Sequence, residues 1–159
     1  MADETPQNAA AGGPEGPVVF AYDGSELADY AIAQAGRQLA PGQDCLVLCV
    51  WQTSDVGFVP VDGRKLDAFA PEEVRSAAEA TAARGVLLAQ RAGFHAHGME
   101  VEAAPSWKGI VEVAEERDAS LIVLGSHQRS GLVGHLTGSV AAATVSHTCI
   151  SVLVVHRRA

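Results

Sequence analysis

Short apolar runs alternate with longer stretches of helical periodicity along the chain. Four helices are predicted where apolar residues recur at helical spacing, over residues 26–39, 71–91, 107–117 and 138–147. Five runs, the third more polar than the rest, predict strands over residues 18–22, 45–51, 99–103, 121–124 and 150–155. Such β-α alternation is typical of an α/β fold, a parallel sheet with helices on both faces.

Two further segments lack this periodicity. The first 17 residues, MADETPQNAAAGGPEGP, contain acids, Pro and Gly but neither a basic start nor an apolar stretch. They predict a flexible tail over residues 1–17 before a single domain, 18–159, and no secretory leader, which favours a cytoplasmic protein. Residues 52–69 predict a loop that is long for a compact domain and therefore a candidate for function or mobility.

Composition narrows the class of protein. With 48% hydrophobic residues and a formal net charge of −8, the chain is globular and acidic. An acidic surface disfavours nucleic acid and anionic membranes, and no apolar run approaches the roughly 18 residues of a membrane span. The three cysteines do not suggest a disulfide framework. Cys45 and Cys49 share one predicted strand, roughly 13 Å apart at about 3.3 Å per residue, and are expected to be small buried hydrophobes.

Two segments that follow predicted strands carry residues suited to ligand binding. The first, residues 23–25 (Asp-Gly-Ser), follows the first strand, and the second, residues 125–139, leads into the last helix. In open parallel sheets, ligands bind beyond the carboxyl ends of strands. Glycines let the backbone approach a ligand, and a helix N-terminus capped by Ser139 attracts phosphate. Arg129 is either a forked phosphate ligand or a solvated loop charge.

From Val18 onward, the chain resembles the universal stress protein family. The similarity rests on VVFAYDGSE, on LVLCVW in the second strand, and on VEVAEERDASLIVLGSHQRSG followed by TGSVAAATVSHTCISVLVVH. Nucleotide-binding members carry Gly, two residues, Gly, nine residues, and then Gly with Ser or Thr. These marks fall here at Gly125, Gln128, Gly138 and Ser139, so that Gln128 replaces the second glycine.

The resemblance implies a single-domain, Rossmann-like, five-stranded parallel sheet in the order 3-2-1-4-5, with strand order reversing between strands 1 and 4. It also implies that Asp23 and the backbone around Tyr22 and Val50 hold adenine and ribose. The glycine segment and the start of the last helix then hold the ribose and phosphates. The complete set of expected ligand-binding residues is Tyr22, Asp23, Val50, Leu124, Gly125, Gln128, Arg129, Gly138, Ser139 and Val140.

Gln128 is the main departure from the family pattern. A non-glycine residue forced to positive φ costs on the order of 1 kcal/mol, and its side chain can also block a phosphate. Alternatively, its amide can donate a hydrogen bond to phosphate. We expect an ATP-binding stress-response regulator, with Mg²⁺ as an optional companion, and expect Gln128→Gly to tighten ATP binding. The alternatives are an interaction module without nucleotide and a binder of cyclic AMP.

Motifs of dedicated enzymes are missing from the sequence. It has no P-loop, no G-x-G-x-x-G after the first strand and no G-x-S-x-G elbow, so at most weak ATP hydrolysis is expected. An enzyme of the wider adenine-binding α/β group would need a catalytic residue, and none stands out. His95 and His97 lack a partner with metal-ligand spacing, so no metal site is assigned. The resemblance implies a homodimer through the apolar strand from Ile150 to Val155.

Overall fold

Strands and helices alternate throughout the part of the chain that the structure describes, residues 16–52, 71–126 and 139–157 of a computed structural model. The helices are α1 (Glu26–Gln38), α2 (Pro71–Arg91), α3 (Ser106–Glu116) and α4 (Ser139–His147). The strands are β1 (Val18–Ala21), β2 (Asp44–Trp51), β3 (His95–Glu102), β4 (Leu121–Ser126) and β5 (Ser151–His156). The predicted tail up to residue 15 and most of the predicted loop lie outside the described residues.

All five strands form one parallel sheet in the order β3-β2-β1-β4-β5. The central strand β1 pairs Val18 with Cys45 of β2 on one side and with Leu121 of β4 on the other. The chain therefore adds β2 and β3 on one side of β1 before it crosses to build β4 and β5. This reversal between β1 and β4 confirms the predicted fold class and strand order.

The core has two halves because successive side chains of a strand face opposite sides of the sheet. On β1, Phe20 joins the cluster that contains Ile32 of α1, together with Ala89 of α2. Its neighbour Val19 belongs to the opposite cluster, with Ile110 of α3. Helices thus cover both faces of the sheet, α1 and α2 on one and α3 and α4 on the other. None of the helices within the described ranges is long and apolar enough to cross a membrane.

The predicted start of the third strand was wrong. Strand β3 begins at His95, four residues before the predicted start, and pairs with β2 from the His95–Asp44 pair onward. The polar start was missed because β3 is an edge strand, on which His95, His97 and Gly98 are exposed and give no apolar signal. The other element boundaries differ from the predicted ones by no more than two residues.

The two cysteines of β2 lie in the core, as predicted. Cys45 and Cys49 are both buried free thiols, whereas Cys149 is exposed. Burial raises the pKa of Cys45 and of Cys49 from the ordinary value of 9.0 to about 12. Because the thiolate is the reactive form of cysteine, both side chains are inert at neutral pH and serve the packing of the sheet.

Candidate functional site

A cavity of about 330 Å³ lies at the carboxyl end of the sheet, where the strand order reverses. The ends of β1, β2 and β4 line it, together with residues at the N-terminal ends of α1, α3 and α4. Its volume falls within the usual range of small-molecule sites, about 300–1,000 Å³. In an open parallel sheet, this crevice is where ligands bind.

The turn between β1 and α1 forms one wall of the cavity. Gly24 has φ +79°, a left-handed conformation that strains other residues and so explains the glycine. The Ser25 amide donates to Asp23 Oδ1 at 2.9 Å, and the Ala28 amide donates to Ser25 Oγ at 3.1 Å. Ser25 therefore caps α1, while the Asp23 carboxylate is exposed at the cavity.

Hydrogen bonds of Tyr22 and of Arg84 on α2 hold this turn in place. The Tyr22 amide donates to the Leu48 carbonyl at 2.9 Å, and the Tyr22 hydroxyl donates to Asp29 Oδ1 at 2.5 Å. Burial first, and the hydrogen bond to Asp29 second, raise the pKa of Tyr22 well above its ordinary value of 10.0. Arg84 of α2 pairs with Asp29 Oδ2 and donates from Nη1 to the Gly24 carbonyl at 3.0 Å.

The end of β4 forms a second wall, where Gly125 lies against α1. A Cβ atom at Gly125 would lie 2.7 Å from Leu27 Cγ and 3.1 Å from the Leu27 carbonyl oxygen. Real side chains do not come that close, so a larger residue would push α1 away from the sheet. The glycine is therefore required by helix–strand packing, whether or not a ligand is also present.

The end of β2 and the start of α3 complete the lining. Val50 and Ile110 contribute apolar surface, and Ser106 contributes a hydroxyl. The Gln52 side-chain amide donates to Ser106 Oγ at 3.0 Å, and a hydroxyl that accepts one hydrogen bond can still donate its own proton. Gly109 permits the close approach of α3, because a Cβ there would lie 3.2 Å from Val50 Cγ1.

The cavity brings together six of the ten residues expected to bind a ligand. These six are Tyr22, Asp23, Val50, Leu124, Gly125 and Val140. Ser139 begins α4, and its side chain lies outside what the structure describes. Gln128, Arg129 and Gly138 also lie outside the described residues. The binding roles of all ten remain predictions.

Several lining residues are not among the ten expected ligand-binding residues, although Ser25 lies in the segment 23–25 that the sequence indicated. Ser25 had a local signal, since a Ser after Asp-Gly is a common helix cap. The start of α3 follows β3 and so belongs at the carboxyl edge of the sheet, but no local pattern marks Ser106 or Ile110 as lining residues. Next to Ser106, Trp107 stacks on His147 of α4 with ring centroids 4.1 Å apart. In the described ranges, no three His, Cys, Asp or Glu side chains form a group able to hold a metal ion.

Comparison with known proteins decides the family. The model of the universal stress protein family matches residues 16–156, nearly the whole chain. The chain belongs to this family. A curated universal stress protein from Mycolicibacterium smegmatis is 32% identical over 151 residues, which cover 89% of this chain and 46% of the relative. This universal stress protein thus spans about half the length of that relative.

Two solved structures have the same fold. A universal stress protein in complex with cAMP superposes with a TM-score of 0.64 at 23% identity, covering 90% of this chain and 98% of that one. A universal stress protein from Archaeoglobus fulgidus in complex with dAMP gives a TM-score of 0.57 at 23% identity, covering 87% of this chain and 95% of the other. At these identities the likeness establishes the fold of the domain.

Proposed function

We propose that this universal stress protein binds an adenine nucleotide in the cavity between β1 and β4 and acts as a cytoplasmic stress-response regulator. The observation that carries the proposal is the convergence of an exposed carboxylate, apolar strand ends and three helix starts on one crevice. A nucleotide needs each of these features: apolar surface for the base, an acceptor for ribose hydroxyls, and positive helix dipole ends for phosphate.

Each part of the ligand has a matching part of the cavity. The base packs between side chains of the β2 and β4 ends and α3, namely Val50, Leu124 and Ile110. Asp23 accepts from ribose hydroxyls through Oδ2, because Oδ1 already accepts the Ser25 amide. The phosphate is held by Ser139 at the start of α4 and by the preceding segment, in which Gly138, Gln128 and Arg129 are the sequence-predicted ligands.

Two neighbours with this fold support the proposed ligand class. One was solved with cAMP and the other with dAMP, both adenine nucleotides that carry a single phosphate. The sequence prediction of ATP, with Mg²⁺ as an optional companion, extends this class to a longer phosphate chain. Gln128 in place of the family glycine favours the shorter phosphate of cAMP, which is the second candidate ligand.

We also propose a homodimer through β5. This strand is an edge of the sheet, and its apolar residues Val152, Leu153 and Val154 are only partly buried in the single chain. An exposed apolar edge strand offers both unpaired backbone groups and side-chain surface to a second copy. Light scattering at micromolar concentration should give twice the chain mass of 16.5 kDa, and a monomer mass would contradict the proposal.

A thermal-shift panel with ATP, ADP, AMP and cyclic AMP, each with and without Mg²⁺, tests the proposed function. A nucleotide at 100 times its dissociation constant should stabilise the folded state by about 2.7 kcal/mol. GTP and inorganic phosphate serve as controls for the base and for anion binding alone. Calorimetry on the nucleotide that gives the largest shift then supplies the dissociation constant.

The outcomes of the panel separate the alternatives. A flat panel would favour an interaction module of the same fold that binds no nucleotide. Equal shifts with phosphate and ATP would indicate an anion site and remove the argument for adenine. A shift confined to cyclic AMP would identify the cyclic nucleotide as the ligand. Steady release of phosphate that one crevice mutation abolishes would point to an ATP-hydrolysing enzyme.

A further inference from the structure

We propose that Arg84 of α2 is a positioning residue that holds Asp23 in its ligand-facing conformation. The proposal rests on the proposed nucleotide site and adds a residue that does not line the described cavity. Arg84 comes from the helix between β2 and β3, whereas Asp23 lies in the turn after β1. The two helices that flank the turn, α1 and α2, thereby both determine where the carboxylate points.

The contact between α2 and the turn is close. Thr81, Arg84 and Gly85 lie on one face of α2 at spacings of three and four residues. A Cβ at Gly24 would lie 3.2 Å from the Thr81 methyl group, so α2 passes directly over the left-handed residue of the turn. A Cβ at Gly85 would lie 2.8 Å from the Tyr22 ring, so the glycine lets α2 rest against that ring.

Arg84 ties this face to both neighbours of Asp23. Its Nη1 donates to the Gly24 carbonyl at 3.0 Å, and its Nη2 pairs with Asp29 Oδ2. The other oxygen of Asp29 accepts the Tyr22 hydroxyl at 2.5 Å. Residues 22 and 24 are therefore bound, directly or through Asp29, to one guanidinium. The residue between them has little freedom to turn away from the cavity.

The forked shape of the guanidinium matters to this arrangement. Arg presents N–H groups in a rigid plane and can bind two acceptors at fixed angles, whereas Lys has one rotatable ammonium group. The side chains of Arg84 and Asp29 are 53% and 29% exposed, and exposed ion pairs contribute little to global stability. The contribution of Arg84 is consequently to the geometry of the turn, which predicts a loss of affinity without a matching loss of stability.

The test compares Arg84→Ala with Arg75→Ala. Arg75 lies on the same helix and is 60% exposed, and it pairs with Glu79 and Glu100, neither of which belongs to the β1–α1 turn. Titrations with ATP plus Mg²⁺ and with cyclic AMP by calorimetry should show about tenfold weaker binding for Arg84→Ala and unchanged binding for Arg75→Ala. Arg84→Lys should recover part of the loss. Urea unfolding midpoints of the two alanine variants should agree.

Hydrogen exchange without nucleotide separates this proposal from the proposed function. Peptides covering residues 22–28 should exchange faster in Arg84→Ala than in the wild type or Arg75→Ala. If the wild type binds nucleotide and Arg84→Ala binds equally well, the positioning role is wrong. If the wild type binds no nucleotide, the proposed function is wrong. Exchange in Arg84→Ala equal to that in Arg75→Ala would show that Arg84 does not hold the β1–α1 turn.

Discussion

Two of the strand ends that border the cavity, those of β1 and β4, are built in different ways. At the end of β1, hydrogen bonds made by Asp23, Ser25, Tyr22 and Arg84 fix the backbone of the turn. At the end of β4, a missing side chain at Gly125 fixes how close α1 can lie. The first wall is set by directional polar contacts and the second by shape.

This difference separates ligand binding from folding. Directional bonds near the surface exchange with bonds to water, so their loss changes geometry more than stability. Water cannot replace the contacts of a closely packed interior in this way, and an added methyl group strains that interior. Substitutions at the β1 end should therefore affect affinity first, and substitutions at the β4 end should affect stability first.

The largest expected effect is that of Gly125→Ala on folding. The new Cβ would lie 2.7 Å from Leu27 Cγ and 3.1 Å from the Leu27 carbonyl oxygen, so α1 must shift. Overpacking of this kind costs about 1–3 kcal/mol. Urea unfolding should show that loss. Gly98→Ala is the matched control on edge strand β3, where the nearest atom is a Val86 methyl carbon at 3.2 Å, and its cost should be small.

A double variant sharpens the result at the β4 end. Because Leu27 supplies the obstructing atoms, Leu27→Ala and Gly125→Ala together should cost less than the sum of their separate effects. If Gly125→Ala leaves the unfolding free energy unchanged but removes nucleotide binding, the β4 end affects binding before stability, contrary to expectation. The glycine would then serve ligand approach, as the family pattern alone suggests.

The next effect is the loss of affinity in Asp23→Ala. If Asp23 accepts a ribose hydroxyl, removal of this charged acceptor should weaken ATP or cyclic AMP binding about ten- to a hundredfold. The unfolding free energy should change by less than about 1 kcal/mol because the side chain is exposed. Calorimetric titration and urea unfolding of the same sample measure both quantities.

Asp44→Ala is the control for charge in that experiment. Asp44 is also exposed, but it begins β2 at the opposite end of the sheet. Both variants remove one acidic side chain and so change the formal net charge from −8 to −7, and a long-range effect on an anionic ligand would appear in both. Equal behaviour of the two variants would remove Asp23 from the site.

The sequence, with the family pattern, predicted the sheet and six of the thirteen described residues that line the crevice. Buried strands such as β1 and β4 have continuous apolar runs, and residues that follow them, like Asp23, necessarily lie at the carboxyl edge. The family pattern then indicated which strands flank the reversal. Edge strand β3 was placed less well, because half of its residues face solvent and its polar start resembles a loop.

Contacts between distant segments could not be predicted in this way. Arg84 is 60 residues from Gly24 in the chain. In the sequence, nothing separates it from the other charged residues of the helix that face solvent. Gly125 was singled out for its expected approach to a ligand, which stays a prediction, and no local pattern reveals that Leu27 packs over it. Both contacts depend on how closely α1 and α2 pack on the sheet, which is a tertiary property.

The smallest expected effect is a change in the alkaline stability profile of Tyr22→Phe. Burial and the Asp29 hydrogen bond raise the folded pKa of Tyr22 above 10.0, so the folded state keeps a proton that the unfolded state releases. The Tyr22 contribution is therefore complete below pH 10 and decreases above it by about 1.4 kcal/mol per pH unit. Tyr22→Phe should lose about 1 kcal/mol near pH 7 and have a shallower alkaline decline.

The slope of that decline tests whether a polar contact, and not packing alone, fixes the β1 end. The buried thiols of β2 also destabilise the fold at high pH, but they are present in both proteins and cancel in the difference. Tyr30→Phe keeps the Tyr22 phenol and is the variant to compare with Tyr22→Phe in urea titrations between pH 8 and about 11. If Tyr22→Phe declines as steeply as Tyr30→Phe, the Tyr22 hydroxyl is neither shielded from water nor held by Asp29. Packing of the Tyr22 ring over Gly85 would then fix the β1 end, as packing fixes the end of β4.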